Sequence, residues 1–183
     1  MIRLIDIVSA FLGLLFLWPV LLVVTIIGFF DTGSPIFVQQ RVGRHKKPFK
    51  LVKFRTMSVD TQSVASHLAS ASSITKLGAF LRKTKIDELP QLWNVLKGEM
   101  SLVGPRPNLF NQFELIAERD TLRVYEVRPG ITGLAQVSDI DMSTPKLLAE
   151  TDARMIADMS LKTYFKYIIK TVSGSGQGDR VKY

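Results

Sequence analysis

A long apolar run near the start of the chain dominates its pattern of hydrophobic and polar positions. Residues 7–30 contain no charged side chain, and most of them are Leu, Val, Ile or Phe. As a helix this run would be about 36 Å long at ~1.5 Å per residue, against a hydrocarbon core of roughly 30 Å. We therefore expect residues 1–30 to form a membrane-inserted helix. A secretory signal peptide is disfavoured because the run is too long and no A-x-A-like cleavage site follows it.

Two features of this run bear on its topology. Pro19 lies in the middle, where proline removes a backbone hydrogen bond and clashes with the preceding turn, so we predict a kink or break over residues 16–19. The basic residues after Asp31 place the rest of the chain in the cytoplasm. The pattern leaves two arrangements open: a kinked single span, and a helix that enters the membrane and returns to the same face.

After the apolar run the pattern changes to short segments, which predict a mostly helical α+β domain over residues 31–172. Residues 36–40 and 48–54 have the composition of two strands, and the turn VGRHKK joins them in a small β-hairpin. Helical patterns or helix signals cover residues 75–84, 88–97, 109–118, 122–127, 143–159 and 160–172. RPGITG at 128–133 is interpreted as a turn, residues 58–73 as a loop or weakly ordered helix, and residues 173–183 as a flexible tail.

The last of these helices is amphipathic, with lysines on one side. Its apolar face is formed at helical spacing by Leu161, Tyr164, Phe165, Ile168, Ile169 and Val172. Such a helix either packs on the core or lies in the membrane interface, as basic amphipathic helices do. The spacing alone leaves both readings open.

Composition and charge limit the kinds of site and of binding partner that this chain can have. The 183 residues suffice for one domain, and because the chain has no cysteine, disulfides, thiolate nucleophiles and zinc-thiolate sites are excluded. The net charge is +8, and residues 41–55 hold seven Lys or Arg but no acid. An anionic partner is therefore expected near this stretch: nucleic acid, acidic lipid or a phosphorylated substrate.

Asp87 and Glu88 form an acid pair at the start of the helix predicted at 88–97. Asp87 is a good N-cap, and an acid in the first turn is favoured by the helix dipole, so a purely structural role is available. Many cations surround the pair in sequence, which suggests instead a site for phosphates with Mg²⁺, an ion that prefers oxygen ligands. A carboxylate can also attack phosphorus if nearby cations neutralise the incoming charge.

Three segments, in order behind the apolar run, carry a family resemblance: KFRTM at 53–57, LRKTKIDELPQLWNVLKGEMSLVGPRP at 81–107, and RPGITGLAQV at 128–137. They resemble the bacterial sugar transferase family of monotopic phosphoglycosyl transferases. The resemblance implies that a phospho-sugar passes from a UDP-sugar to polyprenyl (undecaprenyl) phosphate in the membrane, with release of UMP. This would be the first membrane step of surface polysaccharide or glycoconjugate synthesis. The implied location is the bacterial inner membrane, with the catalytic domain on its cytoplasmic face.

The resemblance also implies roles for individual residues. Asp87 would be the nucleophile that forms a covalent aspartyl phospho-sugar intermediate, Glu88 would be its partner, and both carboxylates would hold Mg²⁺. The residues expected to bind substrate phosphate are Lys53, Arg55, Arg106 and Arg128. Asp152 would be a further acid of the site.

The resemblance favours one of the two membrane arrangements. Members of the family have a re-entrant helix that is broken near its middle, often at Ser-Pro, so that both ends stay cytoplasmic. The corresponding dipeptide here is Trp18-Pro19. We therefore expect a re-entrant helix, although the serine is absent.

Three other functions fit parts of the sequence. A nucleic-acid binder would use residues 41–55 but would need no acid pair, so nucleic acid is not the expected partner. A membrane-tethered polybasic adaptor would tolerate replacement of Asp87. A nucleotide-sugar hydrolase would release UMP without lipid.

Overall fold

The computed structural model describes residues 1–61 and 71–174. The helices are α1 (Ile2–Thr32), α2 (Lys76–Thr84), α3 (Gln91–Lys97), α4 (Phe113–Thr121), α5 (Leu134–Val137), α6 (Pro145–Ala157) and α7 (Leu161–Val172). The strands are β1 (Ile36–Val42), β2 (Pro48–Phe54), β3 (Ser101–Val103) and β4 (Gly130–Thr132). This confirms the predicted mixture of helix and sheet. Most of the loop predicted at 58–73 and nearly all of the tail predicted at 173–183 lie outside the described residues.

The apolar run forms helix α1, which continues through Pro19. By length and composition it is the one helix in the described part of the chain that could cross a membrane. The helix continues without a break from Ile2 to Thr32, so of the predicted kink or break over residues 16–19 the break is absent, and a bend at Pro19 stays a prediction. Proline's fixed φ is compatible with a helix, so the absent N–H of Pro19 costs a hydrogen bond without ending the element.

Both ends of α1 contact the folded domain. Near its start, Asp6 is buried and accepts hydrogen bonds from the Ser101 hydroxyl, the Leu102 amide and the Tyr164 hydroxyl. Near its end, the Asp31 carboxylate accepts a 2.7 Å bond from the Thr75 hydroxyl. The apolar side chains around its middle are mostly exposed. The domain therefore contacts α1 near both ends and along one side, through Ala10, Leu14, Leu21 and Val24, and leaves the apolar side chains of residues 15–20 mostly exposed.

The basic hairpin is confirmed. Strands β1 and β2 pair antiparallel from Ile36 opposite Phe54 to Val42 opposite Pro48, two residues further along β1 than predicted. A 3₁₀ turn at Arg44–Lys46 connects them. The hairpin buries Phe49 and Leu51 against Leu92 and Val95 of α3.

A second, parallel pair of strands was not predicted. Strand β3 pairs with β4, which occupies part of the RPGITG segment that the sequence suggested was a turn. The correction has a steric reason. A Cβ added to Gly130 would collide with the backbone of Gly104, so the two glycines allow the chains to approach closely where β3 ends.

Several helix predictions need adjustment. Helix α2 has the predicted extent with Thr75 as its N-cap, and α6 begins at Pro145 as predicted. The helix expected at 109–118 is shifted to Phe113–Thr121, and the one expected at 122–127 is only a 3₁₀ turn at Val124–Glu126.

Helix α7 matches its predicted extent, but its apolar face is divided between two environments. Tyr164 and Tyr167 are buried in the core beneath β3 and α6. A neighbouring apolar stripe stays exposed, formed by Leu161, Phe165, Ile169 and Val172. The helix therefore combines the two readings that the sequence left open, with a core-facing side beside an exposed apolar stripe.

Candidate active site

The acid pair lies in a tight turn ahead of α3. Lys85 ends α2 in the left-handed conformation and reverses the chain, and Ile86–Glu88 follow as a 3₁₀ turn in which both acids are buried. The prediction that Asp87 caps a helix starting at Glu88 is wrong, because α3 begins at Gln91 and has no side-chain cap. Pro90 lacks the N–H that would donate an α-helical hydrogen bond to the Ile86 carbonyl. The turn is instead closed by 3₁₀-type hydrogen bonds, from the Glu88 amide to the Lys85 carbonyl and from the Leu89 amide to the Ile86 carbonyl.

Arg106 joins the acid pair from the opposite side of the fold. Its Nη2 atom donates a 2.8 Å charge-assisted bond to Oε1 of Glu88. The arginine lies between Pro105 and Pro107 in the segment after β3, where the two rings restrict the backbone. Two of the predicted site residues, 18 positions apart in the chain, are therefore in contact, and the predicted role of Arg106 as a phosphate ligand stays a prediction.

A fully buried ion pair supports the Arg106 segment from behind. Arg119 of α4 donates two bonds, of 3.0 and 2.6 Å, to Oδ2 of Asp152 on α6. Its Nη1 atom also donates to the Arg106 carbonyl and to Oδ1 of Asn108. The second carboxylate oxygen of Asp152 has no hydrogen-bond partner among the described residues. Burial raises the pKa of Asp152, and the charge and hydrogen bonds of Arg119 oppose that shift.

Asp152, predicted as a further acid of the site, thus contacts Arg119 rather than the acid pair in the bonds described. It lies one layer behind the site, connected to it through the Arg106 backbone. Arg119 itself was missed. Its neighbours in sequence are charged and polar, which is typical of an exposed helix face, and no local signal distinguishes it from a surface arginine.

Lys53 and Arg55 share one face of the hairpin, as their alternation predicted. Both lie over the ring of Phe37, at 5.7 and 5.4 Å from its centroid. Arg55 also donates to the backbone carbonyls of Ser34 and Ile36, which fastens the segment between α1 and β1. This position makes Arg55 as much a structural residue as a candidate phosphate ligand.

Lys85 is a site residue whose role the sequence did not reveal. Its Nζ atom donates to the Thr171 carbonyl in α7. Burial lowers the pKa of Lys85, while the Glu88 charge acts in the opposite direction and the Arg106 charge lowers the pKa further. The ammonium group is therefore electrostatically coupled to both members of the Glu88–Arg106 pair.

Arg128 lies in a different place from the acid pair. Its Nε atom donates a 2.8 Å bond to the carbonyl of Gly98, the residue that ends α3, whereas the acid pair precedes the start of that helix. Burial lowers the pKa of Arg128, and the charges of Arg3 and Arg44 add to the effect. Arg128 is thus grouped with other arginines rather than with Glu88 and Arg106.

The donor set at the acid pair suits a magnesium ion held partly by substrate. Within the described ranges, no group of three or more His, Asp or Glu side chains is clustered as a protein-only metal site would require. Mg²⁺ is usually bound through one or two carboxylates plus substrate phosphates. Asp87 and Glu88 provide two adjacent carboxylates, both buried, and therefore fit that arrangement.

Comparison with known proteins identifies the family. The model of the bacterial sugar transferase family matches residues 1–177, almost the whole chain. The chain belongs to this family. Its resemblance to bacterial sugar transferases, inferred from three motifs, is therefore confirmed, and it includes the segments that carry the acid pair and Arg106.

Curated relatives of this chain carry related names. An uncharacterized sugar transferase, EpsL of Bacillus subtilis (strain 168), is 44% identical over 141 residues, covering 76% of this chain and 69% of the relative. The UDP-glucose:undecaprenyl-phosphate glucose-1-phosphate transferase of Escherichia coli (strain K12) is 39% identical, covering 91% of this chain and 38% of the relative. The UDP-galactose-lipid carrier transferase of Erwinia amylovora is 35% identical, covering 93% and 39% respectively.

The chain spans well under half of the length of the latter two relatives. Their names therefore describe the activities of longer proteins, in which this chain matches one region. The names have a common element, transfer of a sugar or sugar phosphate to a lipid carrier.

Proposed function

We propose that this protein transfers a phospho-sugar from a UDP-sugar to a polyprenyl phosphate, such as undecaprenyl phosphate, and releases UMP. The observation that carries the proposal is the buried turn Ile86–Glu88, where Asp87 adjoins a Glu88 carboxylate bonded to Arg106. Family membership and the names of the E. coli and Erwinia relatives support it.

The reaction proceeds in two displacements. An oxygen of the Asp87 carboxylate attacks the phosphorus that bears the sugar, and the bond from that phosphorus to the UMP oxygen breaks, so UMP leaves with the bonding electrons. A phosphate oxygen of polyprenyl phosphate then attacks the same phosphorus, and the aspartyl–phosphorus bond breaks to restore the carboxylate. Each displacement is easier than a direct transfer between two bound anions.

Cations near the acid pair offset the charge that accumulates in these steps. Mg²⁺ held by Asp87 and Glu88 would supply Lewis-acid stabilisation of the phosphate oxygens. Arg106 holds the Glu88 carboxylate in position, and Lys53 lies on the hairpin face that we assign to substrate phosphate. Lys85, electrostatically coupled to Glu88 and Arg106, adds a further cationic side chain that the sequence motifs alone did not assign.

We assign α1 a re-entrant arrangement, with residues 16–20 deepest in the bilayer and the domain on the cytoplasmic face of the inner membrane. Contacts of the domain with both Asp6 and Asp31 support this. If α1 crossed a hydrocarbon core of roughly 30 Å, its ends would lie on opposite sides, and one domain would not reach both. The exposed stripe of α7 beside Lys162, Lys166 and Lys170 is suited to the same membrane surface.

Cysteine labelling tests the topology. The chain has no native cysteine, so Leu4→Cys near the start of α1 and Lys47→Cys in the hairpin turn can each be labelled alone in sealed inverted membrane vesicles. We expect an impermeant maleimide to label both from the cytoplasmic side. Labelling of the two positions from opposite sides would show that α1 spans the membrane.

UMP release tests the reaction. Purified protein in nanodiscs is given a panel of UDP-sugars, with and without undecaprenyl phosphate and Mg²⁺. We expect repeated UMP release only when lipid and metal are both present, with loss on chelation and recovery on addition of Mg²⁺. Without lipid, the first displacement should release about one UMP per protein and then stop. Continued release of many UMP molecules per protein without lipid would indicate a hydrolase. No release of UMP across a full panel with folded protein would favour the non-catalytic adaptor.

A further inference from the structure

A cavity of about 270 Å³ lies beside the start of α1, on the side of the domain that holds Arg128. Its lining combines guanidinium groups with apolar side chains, and includes Arg3, Arg44, Arg128, Ile2, Ile156 and Met159. Neither Asp87 nor Glu88 lines it. It is bounded by elements far apart in sequence, namely α1, the hairpin turn, the segment before β4, and α6.

Hydrogen bonds to backbone carbonyls hold the three arginines in place. Arg3 donates to the Val95 carbonyl at 2.7 Å and to the Met100 carbonyl at 3.3 Å. Arg44 donates from Nε to the Glu126 carbonyl at 2.7 Å, and Arg128 donates from Nε to the Gly98 carbonyl. A carbonyl carries no net charge, so these bonds orient the guanidinium groups without neutralising them, whereas the Asp6 carboxylate, 3.9 Å from Arg3, offsets part of the charge of that residue.

The acids that also line the cavity have other partners. The Asp6 carboxylate is bonded to Ser101, the Leu102 amide and Tyr164, and lies 3.9 Å from Arg3. The Glu126 carboxylate lies 3.5 Å from Arg123. Three arginines and two acids therefore line the cavity, which leaves an excess of one positive charge even though Asp6 offsets part of the charge of Arg3.

We propose that Arg3, Arg44 and Arg128 form a binding site for a phosphate group, separate from the acid pair. Guanidinium groups match phosphate oxygens in charge and in bidentate geometry, and the apolar wall suits the remainder of an amphipathic ligand. About 10 Å of helix α3, at ~1.5 Å per residue, separates the Arg128 end of α3 from the acid-pair end. Arg128 accordingly binds a phosphate other than the one that reacts at Asp87.

The phosphate group can come from two sources: the head group of an anionic phospholipid, or a soluble nucleoside diphosphate. The cavity adjoins Ile2 and Arg3 at the start of α1, which the proposed function locates at the bilayer surface. The inference rests on the proposed function for that membrane location alone, and not for the transfer reaction. It can therefore be tested by binding, without any measurement of activity.

The test uses the full chain and the variant Arg44→Gln, because Arg44 is exposed and its loss leaves the core unchanged. Arg154→Gln is the matched control, an exposed arginine of α6 outside the cavity lining. In one arm, native mass spectrometry measures phosphatidylglycerol retained by protein released from nanodiscs of phosphatidylcholine with phosphatidylglycerol. In the other, calorimetry measures binding of UDP to protein in a neutral detergent.

We expect Arg44→Gln to reduce retention of phosphatidylglycerol roughly tenfold, the change that follows from losing one charge-assisted contact, while Arg154→Gln matches the unaltered protein. A matching loss of UDP affinity instead would confirm the site and identify a soluble nucleotide as its ligand. If Arg44→Gln and Arg154→Gln behave alike in both arms, the proposal is overturned. The variant Arg128→Lys keeps the positive charge but loses the bidentate guanidinium geometry. Its retention of phosphatidylglycerol should lie between those of Arg44→Gln and Arg154→Gln.

This test is independent of the transferase proposal. An Asp87→Asn protein that releases no UMP should still retain phosphatidylglycerol as the unaltered chain does. Retention that depends on Arg44 in a chain that never releases UMP would leave the phosphate site standing and remove the proposed reaction.

Discussion

Two carboxylate–guanidinium pairs in this fold have the same chemistry but different surroundings. In the Glu88–Arg106 pair the side chains are 10% and 23% exposed, whereas in the Asp152–Arg119 pair they are 0% and 1% exposed. Solvent reaches the first pair, so a substrate or metal ion could replace the contact between Glu88 and Arg106. The second pair is closed, and exchange there would require the core to open.

The difference separates the pair that we propose for the chemistry from a pair that maintains the geometry of the fold. The closed pair is connected to the accessible one, since Arg119 donates to the Arg106 carbonyl at 2.8 Å. Removing one partner of a buried pair leaves an uncompensated charge, which is strongly destabilising. The accessible pair contributes less to stability because solvent screens it. Four substitutions test this comparison.

Asp87→Asn should have the largest effect, and on activity alone. Loss of the attacking carboxylate should lower UMP release by on the order of 10³-fold or more, because no other group replaces the nucleophile. The midpoint of thermal unfolding, measured in nanodiscs, should stay close to that of the unaltered chain. A large fall in thermal stability would show that Asp87 serves the fold rather than the reaction.

Asp152→Asn should have the next largest effect, and on stability. The free energy of unfolding, measured by urea titration in detergent, should fall by about 3–5 kcal/mol because Arg119 is left buried without its counter-charge. Glu150→Gln, an exposed change on the same helix, is the control and should shift it by less than ~0.5 kcal/mol. Equal behaviour of the two variants would mean that the buried pair does not hold the fold.

Glu88→Gln should have a smaller effect, again chiefly on activity. The amide keeps the shape of the side chain but removes the charge that binds Arg106 and Mg²⁺, so UMP release should fall roughly 10- to 100-fold. Higher Mg²⁺ concentration should recover part of the rate. Activity equal to that of the unaltered chain would exclude Glu88 from the metal site.

Asp120→Asn should have the smallest effect. Asp120 pairs with Lys46 at 2.8 Å, and both side chains are about half exposed, at 53% and 49%. The free energy of unfolding should change by less than ~0.5 kcal/mol, as is common for exposed ion pairs. With Asp152→Asn and Glu88→Gln, it completes a series of three ion pairs of increasing exposure. A loss as large as that of Asp152→Asn would show that burial does not determine the contribution of these pairs.

Patterns within a single segment were predicted well. The apolar run, the hairpin and helices α2, α6 and α7 follow from hydrophobic spacing and capping residues such as Thr75 and Pro145. Strands β3 and β4 were missed because each has three residues and pairs with a segment nearly 30 positions away. Spacing also could not show that only part of the apolar face of α7 is buried, since that depends on what packs against it.

The sequence by itself determined the family, the acid pair, Arg106 and a helix long and apolar enough to cross a membrane, because these depend on residue type, order and local spacing. The tertiary structure alone decided which charges meet. In the tertiary structure Asp152 is buried against Arg119, Lys85 donates a hydrogen bond to α7, and Arg128 lies near Arg3 and Arg44. The reason is physical: the energy of a charge depends on its burial and on its neighbours in space, which the order of residues along the chain does not specify.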